Sequence, residues 1–295
     1  METPRDHVRE NMNWAASVPF ILIHLVPLAI IFTGVTARSV ILCVTLYFVR
    51  MFFITAGFHR YFSHRSYKMG RIMQFLMAFG GTTSAQKGVL WWAAHHRHHH
   101  KHSDEESDIH SPRHGFWWSH AGWILCDKYN ETRFDLIPDL AKYPELRWLN
   151  RFHLVPPIML AIACVAIDGW SGLVIGFFLS TAVLYHGTFT INSLTHVFGR
   201  RRYVTADTSR NSLILALITL GEGWHNNHHY YQRATNQGFF WWEIDISFYV
   251  LKLLSWMRLV RGIHTPPQRV LDGNRVKDGC IDVGMLTARG KFLSA

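Results

Sequence analysis

The chain has 295 residues, of which 49% are hydrophobic, 14% aromatic and only 17% charged, with a formal net charge of +10. That much apolar surface excludes a disordered chain, and Gly and Pro counts of 21 and 10 without any period exclude a collagenous one. The cysteines Cys43, Cys126, Cys164 and Cys280 form no CxxC pair, which excludes a disulfide scaffold or cysteine-rich zinc module and fits a reducing compartment.

Residues 1–16 read as a polar tail. The run 17–36 (SVPFILIHLVPLAIIFTGVT) is followed, after a short link at 37–39, by 40–58 (VILCVTLYFVRMFFITAGF). These lengths match the roughly 17–25 apolar residues of a membrane-spanning helix, so 17–58 reads as one transmembrane hairpin. The first run is too long for a cleavable signal peptide and has no small-residue cleavage site. A polar stretch, 59–152, contains a weaker apolar segment at 71–86. A second hairpin, 153–192, pairs HLVPPIMLAIACVAIDG with GLVIGFFLSTAVLYHGTFTI across a link near 168–171. Residues 193–263 carry another weak apolar segment at 211–224. They also carry a Trp- and Leu-rich stretch at 239–260 whose Glu243, Asp245, Lys252 and Arg258 suit an amphipathic surface helix. Residues 264–295 read as an ordinary tail.

The expected fold class is therefore an all-α integral membrane protein: four transmembrane helices in two hairpins, with a histidine-rich domain on one side. Of the 30 Lys and Arg, 13 fall in 59–152 and 13 after Asn192, while the short links hold only Arg38. The positive-inside rule then puts both termini and the polar domain in the cytoplasm. Arg50, inside the second run, is expected to snorkel or to line a polar cavity.

The 20 His equal all Asp and Glu together, and they are grouped. HRYFSH (59–64) lies at the end of the second run, HHRHHHKH at 95–102, NSLTH (192–196) at the end of the fourth run, and GEGWHNNHH at 221–229. Histidines at i, i+3 and i+4 share a helix face, so His225, His228 and His229 can converge on one point, as can His96, His99 and His100. Imidazole suits Fe, Zn, Cu or Ni, and eight or nine such ligands call for two metals. Two HxxHH registers fit the tract: His95, His98 and His99, or His96, His99 and His100. His24 and His186, within the apolar runs, have no second His at ligand spacing and read as packing or cavity-lining groups.

With these motifs the sequence resembles the membrane fatty-acyl desaturases of the stearoyl-CoA desaturase type, from about Val40 to Val260. The resemblance rests on GFHRYFSH (57–64), HRHHHK (96–101), GFWWSHAGW (115–123), NSLTH and GEGWHNNHH. It implies two irons held by His59, His64, His96, His99, His100, His196, His225, His228 and His229, with Asn192 reaching one iron through water. It also selects the second register, because Arg97 follows His96 and Lys101 follows His100; His95 and His98 then face away, toward head group or solvent. Glu222, Asp104, Glu105 and Asp108 are placed to orient ring nitrogens from behind.

No side chain acting as acid, base or nucleophile attacks an unactivated methylene, so the oxidation falls to a redox metal and O2. The resemblance implies insertion of a cis double bond, most often at the ninth carbon of a saturated acyl chain, with electrons from a separate carrier (cytochrome b5-like, ferredoxin or rubredoxin type). Many acyl-CoA members have an Arg-Asp pair just before the second box, where this chain has Ala94-His95, so an acyl-CoA and a phospholipid acyl substrate both stay open. The basic charge suits either anionic head group beside the lipid bilayer; a nucleic-acid partner is not expected. The alternatives are a related lipid or carotenoid hydroxylase, and a metal transporter, which would place its ligands near the midplane of its spans.

Overall fold

A computed structural model describes residues 12–276. The expectations for the outer tails, for Cys280 and for the location of the termini fall wholly or partly outside those residues. The described chain is mostly helical, with one two-stranded ribbon that pairs β1 (Lys68–Met69) antiparallel with β2 (Val260–Arg261).

Helix α1 (Val18–Thr33) tightens to a 3-10 turn over Val26–Ala29. Gly34, at φ +69°, then turns the chain. Thr36 opens α2 (Ala37–Ser63) through a reciprocal cap with Ser39, each side chain accepting from the other's backbone N–H at 2.9 and 3.1 Å. After α3 (Arg71–Thr82), α4 (Val89–His102), α5 (Phe116–His120) and α6 (Pro144–Arg151), a continuous apolar helical stretch runs through Val155–His196. It is broken at Asp168 and Gly169, whose backbone is not helical. The second half folds back so closely that a Cβ on Gly172 would stand 2.2 Å from the Cys164 carbonyl oxygen. The stretch is thus a hairpin of α7 (Val155–Ser171) and α8 (172–193), and two short helices, α9 (Leu213–Ile218) and α10 (His225–Tyr230), follow it.

Val155–His196 and Ala37–Ser63 are long and apolar enough to cross a membrane. Outward-facing Phe32 is 86% exposed, and Ile31, Ile41, Val44, Ile158 and Ile162 are exposed with it. An apolar surface of that extent does not suit water. The two interhelical links lie side by side: Thr36 Oγ1 donates to the Asp168 carboxylate, and Ser171 Oγ donates to the Gly34 carbonyl at 3.1 Å. Every histidine group lies toward the opposite end of these helices.

Two expectations are corrected. Arg50 does not snorkel. It is fully buried between α2 and α8, donating to Ser180 Oγ (2.6 Å), Thr181 Oγ1 (2.7 Å) and the Leu46 carbonyl (3.0 Å), which neighbouring hydroxyls make cheaper than reaching a distant interface. The stretch 239–260 is helical only in α11 (Ile246–Trp256), and Glu243 and Asp245 are not on a wet face. Asp245 caps α11 by accepting from Phe248 N–H at 3.0 Å, and it receives Arg60 Nη1 at 2.9 Å on both oxygens. The need to neutralise buried Arg60 overrides the amphipathic pattern.

The main core sits beneath the histidine end, where Phe58, Phe62, Tyr67, Met77, Leu90, Leu140 and Leu146 pack with little or no exposure. Gly81 lets α3 approach α2 there, since a Cβ would meet the Phe58 ring at 2.3 Å. Removing one partner of a buried ion pair leaves a buried charge uncompensated, so Asp245→Ala is expected to cost about 3–5 kcal/mol. The check is thermal melting of the detergent-solubilised chain; a melting curve matching the parent's would refute it.

Candidate metal centre

Four short segments converge. HRYFS of the HRYFSH motif lies in the last eleven residues of α2, Phe53–Ser63, which are π-helical, and His64 is the residue that caps them. In an α-helix, residues five apart point about 140° away from each other. Here the His64 N–H donates to the His59 carbonyl at 3.2 Å, the five-residue bond of a π turn, and both imidazoles face the same way. The tract lies on α4, His196 ends a 3-10 turn (Leu194–His196) below α8, and HNNHHY forms the short helix α10 (His225–Tyr230).

Two clusters result, each with its ring nitrogens within 4.8 Å of one another. The first joins His59, His64, His96, His100 and His228. Its Nε2 atoms lie 3.1 Å apart for His59 and His64, 2.9 Å for His64 and His96, 3.0 Å for His59 and His228, and 3.0 Å for His100 and His228. The second joins His99, His196, His225 and His229, all buried, with 3.2 Å between the Nε2 atoms of His196 and His225. The clusters adjoin: the His100 ring is 4.5 Å from that of His229 and 5.2 Å from that of His99.

Neither HxxHH triad converges on one point. His96 and His100 serve the first cluster and His99 the second; His225 and His229 serve the second and His228 the first. Residues four apart diverge by only about 40°, whereas the residue at i+3 lies about 60° to the other side, so each helix feeds both clusters.

Carboxylates back the rings. Glu222 takes His59 Nδ1 and is itself held by Arg60 Nε (3.0 Å) and Gln237 Nε2 (2.6 Å). Asp108 accepts from His99 Nδ1 at 3.0 Å, and Asp104 lies 3.5 Å from His196 Nδ1 while accepting from Thr208 N–H and Oγ1 at 2.6 Å. Asp207 accepts from His229 Nδ1 at 2.7 Å. Sequence reading missed Asp207 and Gln237, because each lies far along the chain from its partner ring, with no spacing to mark it. Glu105 does not join this layer; it bonds His102 at the surface, 2.8 Å away. Asn192 lines the same cavity as His96. His95, whose Nδ1 donates to the Trp91 carbonyl (2.9 Å), lines the same cavity, and His98 bonds the Ser107 carbonyl (2.9 Å). His110 forms a further small group with His99 and Asp108. His24 and His186 do find partners: their Nε2 atoms are 3.2 Å apart, and His186 Nδ1 is 3.0 Å from His120 Nε2.

The electrostatics fit metal cations. Burial, then the neighbouring imidazoles, pushes His64, His96, His100 and His228 well below the ordinary histidine range, so these rings are neutral at pH 7. Burial opposes ionisation of Asp104, Asp108 and Asp207, but the facing His196, His99 and His229 outweigh it and hold these carboxyls well below their usual range. A ring donating Nδ1–H to a carboxylate turns a bare lone pair on Nε2 toward its neighbours. His229 Nε2 is buried with no hydrogen-bond partner. Lone pairs crowded in this way need cations between them, and an all-nitrogen set suits Fe, Zn, Cu or Ni.

An apolar cavity of about 280 Å³ reaches the first cluster at His96. Its walls include Phe20 of α1, Trp91 and Trp92 of α4, Trp123, and Tyr185 and Phe189 of α8.

The fatty acid desaturase family model matches residues 36–258. The chain belongs to this family. Its relatives include the sn-1 stearoyl-lipid 9-desaturase of Anabaena variabilis, 34% identical over 86% of this chain and 95% of that one. The sn-2 palmitoyl-lipid 9-desaturase of Nostoc sp. (strain 36) is 35% identical over 75% and 79%. The acyl-CoA C20 Delta5-desaturase of Anemone leveillei is 34% identical over 78% and 75%. This desaturase therefore has the enzyme class that its histidine groups suggested.

His96→Ala and His100→Ala are expected to bind less metal than the parent after loading with Fe(II), and His95→Ala and His98→Ala to bind as much. Elemental analysis of the purified variants decides it, and the reverse result would shift the ligand set by one residue. Asp207→Asn keeps a hydrogen-bond acceptor but removes the charge behind His229, and should weaken metal binding about 10–100-fold in a chelator competition.

Proposed function

We propose that the two imidazole clusters hold two irons and that this desaturase inserts a cis-Δ9 double bond into a saturated acyl chain lying in the apolar cavity. The observation that carries the reading is the contact of that cavity with the five-histidine cluster at His96. Bound iron would supply the O2 chemistry that no side chain provides. By balance, O2 and two external electrons with two protons take two hydrogens from the acyl chain, leaving one C=C bond and two waters. The protein's own part is positional. Glu222, Asp104, Asp108 and Asp207 fix the tautomers and orientations of His59, His196, His99 and His229. The aromatic walls exclude water and hold the methylenes beside His96.

We propose a membrane glycerolipid as the acyl carrier. Ala94, where many acyl-CoA members have Arg, is fully buried and offers no charge to a CoA phosphate, and two of the relatives above are named lipid 9-desaturases. The topology we propose has four spans, α1, α2, α7 and α8, with the histidine domain and both termini cytoplasmic. The adjacency of the two links and the basic residues at the opposite end support it. Asn192, half-buried on the cavity wall, fits a role on the iron through water.

Expression in cells followed by gas chromatography of fatty-acid methyl esters tests the reading. New cis-9 monoenes bear it out, whereas hydroxylated chains would replace it by hydroxylation. The purified chain should contain close to two irons, and activity that follows zinc would exclude this chemistry. A reporter fused after Ala295 is expected to stay cytoplasmic.

A further inference from the structure

The apolar cavity that reaches His96 is polar away from the metal cluster. Lys87, Trp91, Trp92, His95 and His96 all line it, and that spacing is one face of a helix, so the cavity runs along α4 from the loop before its first turn to the imidazoles. Beside Lys87 the lining holds Asn130 and His153, and no Asp or Glu lines the cavity. Ser17 and His153, both in the lining, immediately precede α1 and α7. In the topology proposed above, that end lies level with the starts of two spans, where bilayer head groups begin. A second concavity, of about 340 Å³, has His64 and His100 with Arg97, Lys101 and Arg233 in its lining and shares no residue with the cavity. Those cations therefore lie off the passage of a chain seated beside His96.

Among the described residues, Lys87 is the only Lys or Arg that lines the cavity. It is half-buried, donates from Nζ to Asn130 Oδ1 at 2.5 Å, lies 5.4 Å from the Trp91 ring centre, and has no ion-pair partner among those residues. Asp127, whose charge acts on Lys87, is bonded instead to Asn13 (2.7 Å) and Asn130 (2.8 Å). Burial lowers the Lys87 pKa, because its ammonium has given up water without gaining a counter-charge. The loop is built to present it. Ala85 and Lys87 stand at φ +56° and +62°, a region that residues with a Cβ rarely occupy. The Ala85 carbonyl accepts from Tyr185 Oη at 2.6 Å, and Gln86 Nε2 donates to Thr188 Oγ1 at 3.0 Å. Gly88 packs so close to Asn150 that a Cβ would stand 2.5 Å from the Asn150 Cα. Backbone strain fixed by so many contacts collects at binding sites.

We propose that Lys87, with Asn130 and His153, binds the phosphate of a phosphoglyceride whose acyl chain lies in the cavity, so that this desaturase takes phospholipids in preference to neutral glycolipids. The proposal rests on the membrane-lipid reading above and narrows it to one lipid class. The lengths agree. Val89 and His96, seven residues apart, are separated by about 10 Å along the helix axis. An extended chain of single bonds advances roughly 1.2 Å per bond, so the eight bonds from an ester carbon to the ninth carbon also span about 10 Å. With the ninth carbon beside His96, the ester lies level with the first turn of α4. The glycerol phosphate, a few bonds further on, then meets Lys87, which precedes that turn. Nζ has two N–H donors left after Asn130, and an ionised phosphate oxygen takes them as charge-assisted bonds. A sugar head group offers no such charge. Coenzyme A carries phosphates too, but its long pantetheine arm puts them beyond the reach of Lys87.

The test uses the full-length chain in detergent, with distearoyl-phosphatidylglycerol, distearoyl-monogalactosyldiacylglycerol, stearoyl-CoA and inorganic phosphate as probes. Native mass spectrometry titrations give each Kd, and assays with dithionite as reductant give kcat and KM for the two lipids. The parent should bind the phospholipid more tightly than the galactolipid. Lys87→Gln should raise the phospholipid Kd and KM on the order of tenfold, with kcat and the galactolipid Kd near the parent level. Lys87→Arg should keep most of the phospholipid preference, and Arg269→Gln, at an exposed cation elsewhere, should behave as the parent. Equal affinity of the parent for the two lipids, an unchanged phospholipid Kd in Lys87→Gln, or an equal loss of both lipids would overturn the proposal. So would a dependence on Lys87 confined to stearoyl-CoA or to inorganic phosphate. Should Lys87→Gln fail to fold, the parent's lipid preference and Lys87→Arg still decide. If neither lipid gains a double bond, the desaturase reading fails instead, and the binding titrations still decide the phosphate site.

Discussion

Nine imidazoles converge in two adjoining clusters, with neighbouring Nε2 atoms as little as 2.9 Å apart, and such a crowd of nitrogen donors calls for cations among them; the rest of the structure serves that constraint. Each of His59, His99, His196 and His229 has a carboxylate behind it, which fixes the tautomer and supplies negative charge close to the expected positive ions. Those carboxylates are anchored in turn. Arg60 and Gln237 hold Glu222, Thr208 holds Asp104, and backbone N–H groups of Asp104 and Ser209 hold Asp108 and Asp207. Arg60 then requires Asp245, and Asp245 starts α11. A chain of charge compensation runs from the metal ligands out to the last long helix.

The constraint also explains local irregularities in the backbone. A regular α-helix cannot aim residues five apart at one point, so the end of α2 widens to a π-helix exactly where His59 and His64 require it; such widened turns recur at functional sites. Asp104 lies at φ +61°, an unfavourable backbone for a residue with a Cβ, at the turn where its carboxylate meets Thr208 and His196. The helices that carry these segments need only be rigid and apolar outside. The paired links at the far end, the buried Arg50 and the close contact at Gly172 supply that rigidity without any ligand.

The centre stands between two unlike openings. The apolar one, walled by Trp and Phe, suits methylenes and keeps water from His96. The cationic one is open and polar, with imidazole edges at its base.

Hydropathy run lengths located the two apolar hairpins, because helices that stay apolar along their whole length leave a direct trace in sequence. Histidine grouping located the four segments that form the two clusters, because helical periodicity is local, but spacing left two registers open in the 95–102 tract, and it was the resemblance to a known family that pointed to His96, His99 and His100. What the sequence could not decide is how the ligands divide. Two HxxHH triads, each legible as one convergent face, are split between two clusters, since the division depends on where neighbouring helices stand rather than on spacing within one. Asp207, Gln237 and the Arg60–Asp245 pair were hidden for the same reason: their partners are brought close only by tertiary folding. Glu243 and Asp245 read as surface charges because composition cannot tell a solvated carboxylate from one buried against a distant arginine. Local grouping of histidines in the sequence determined which segments belong to the site; the packing of helices far apart in sequence decided which side of it each residue serves.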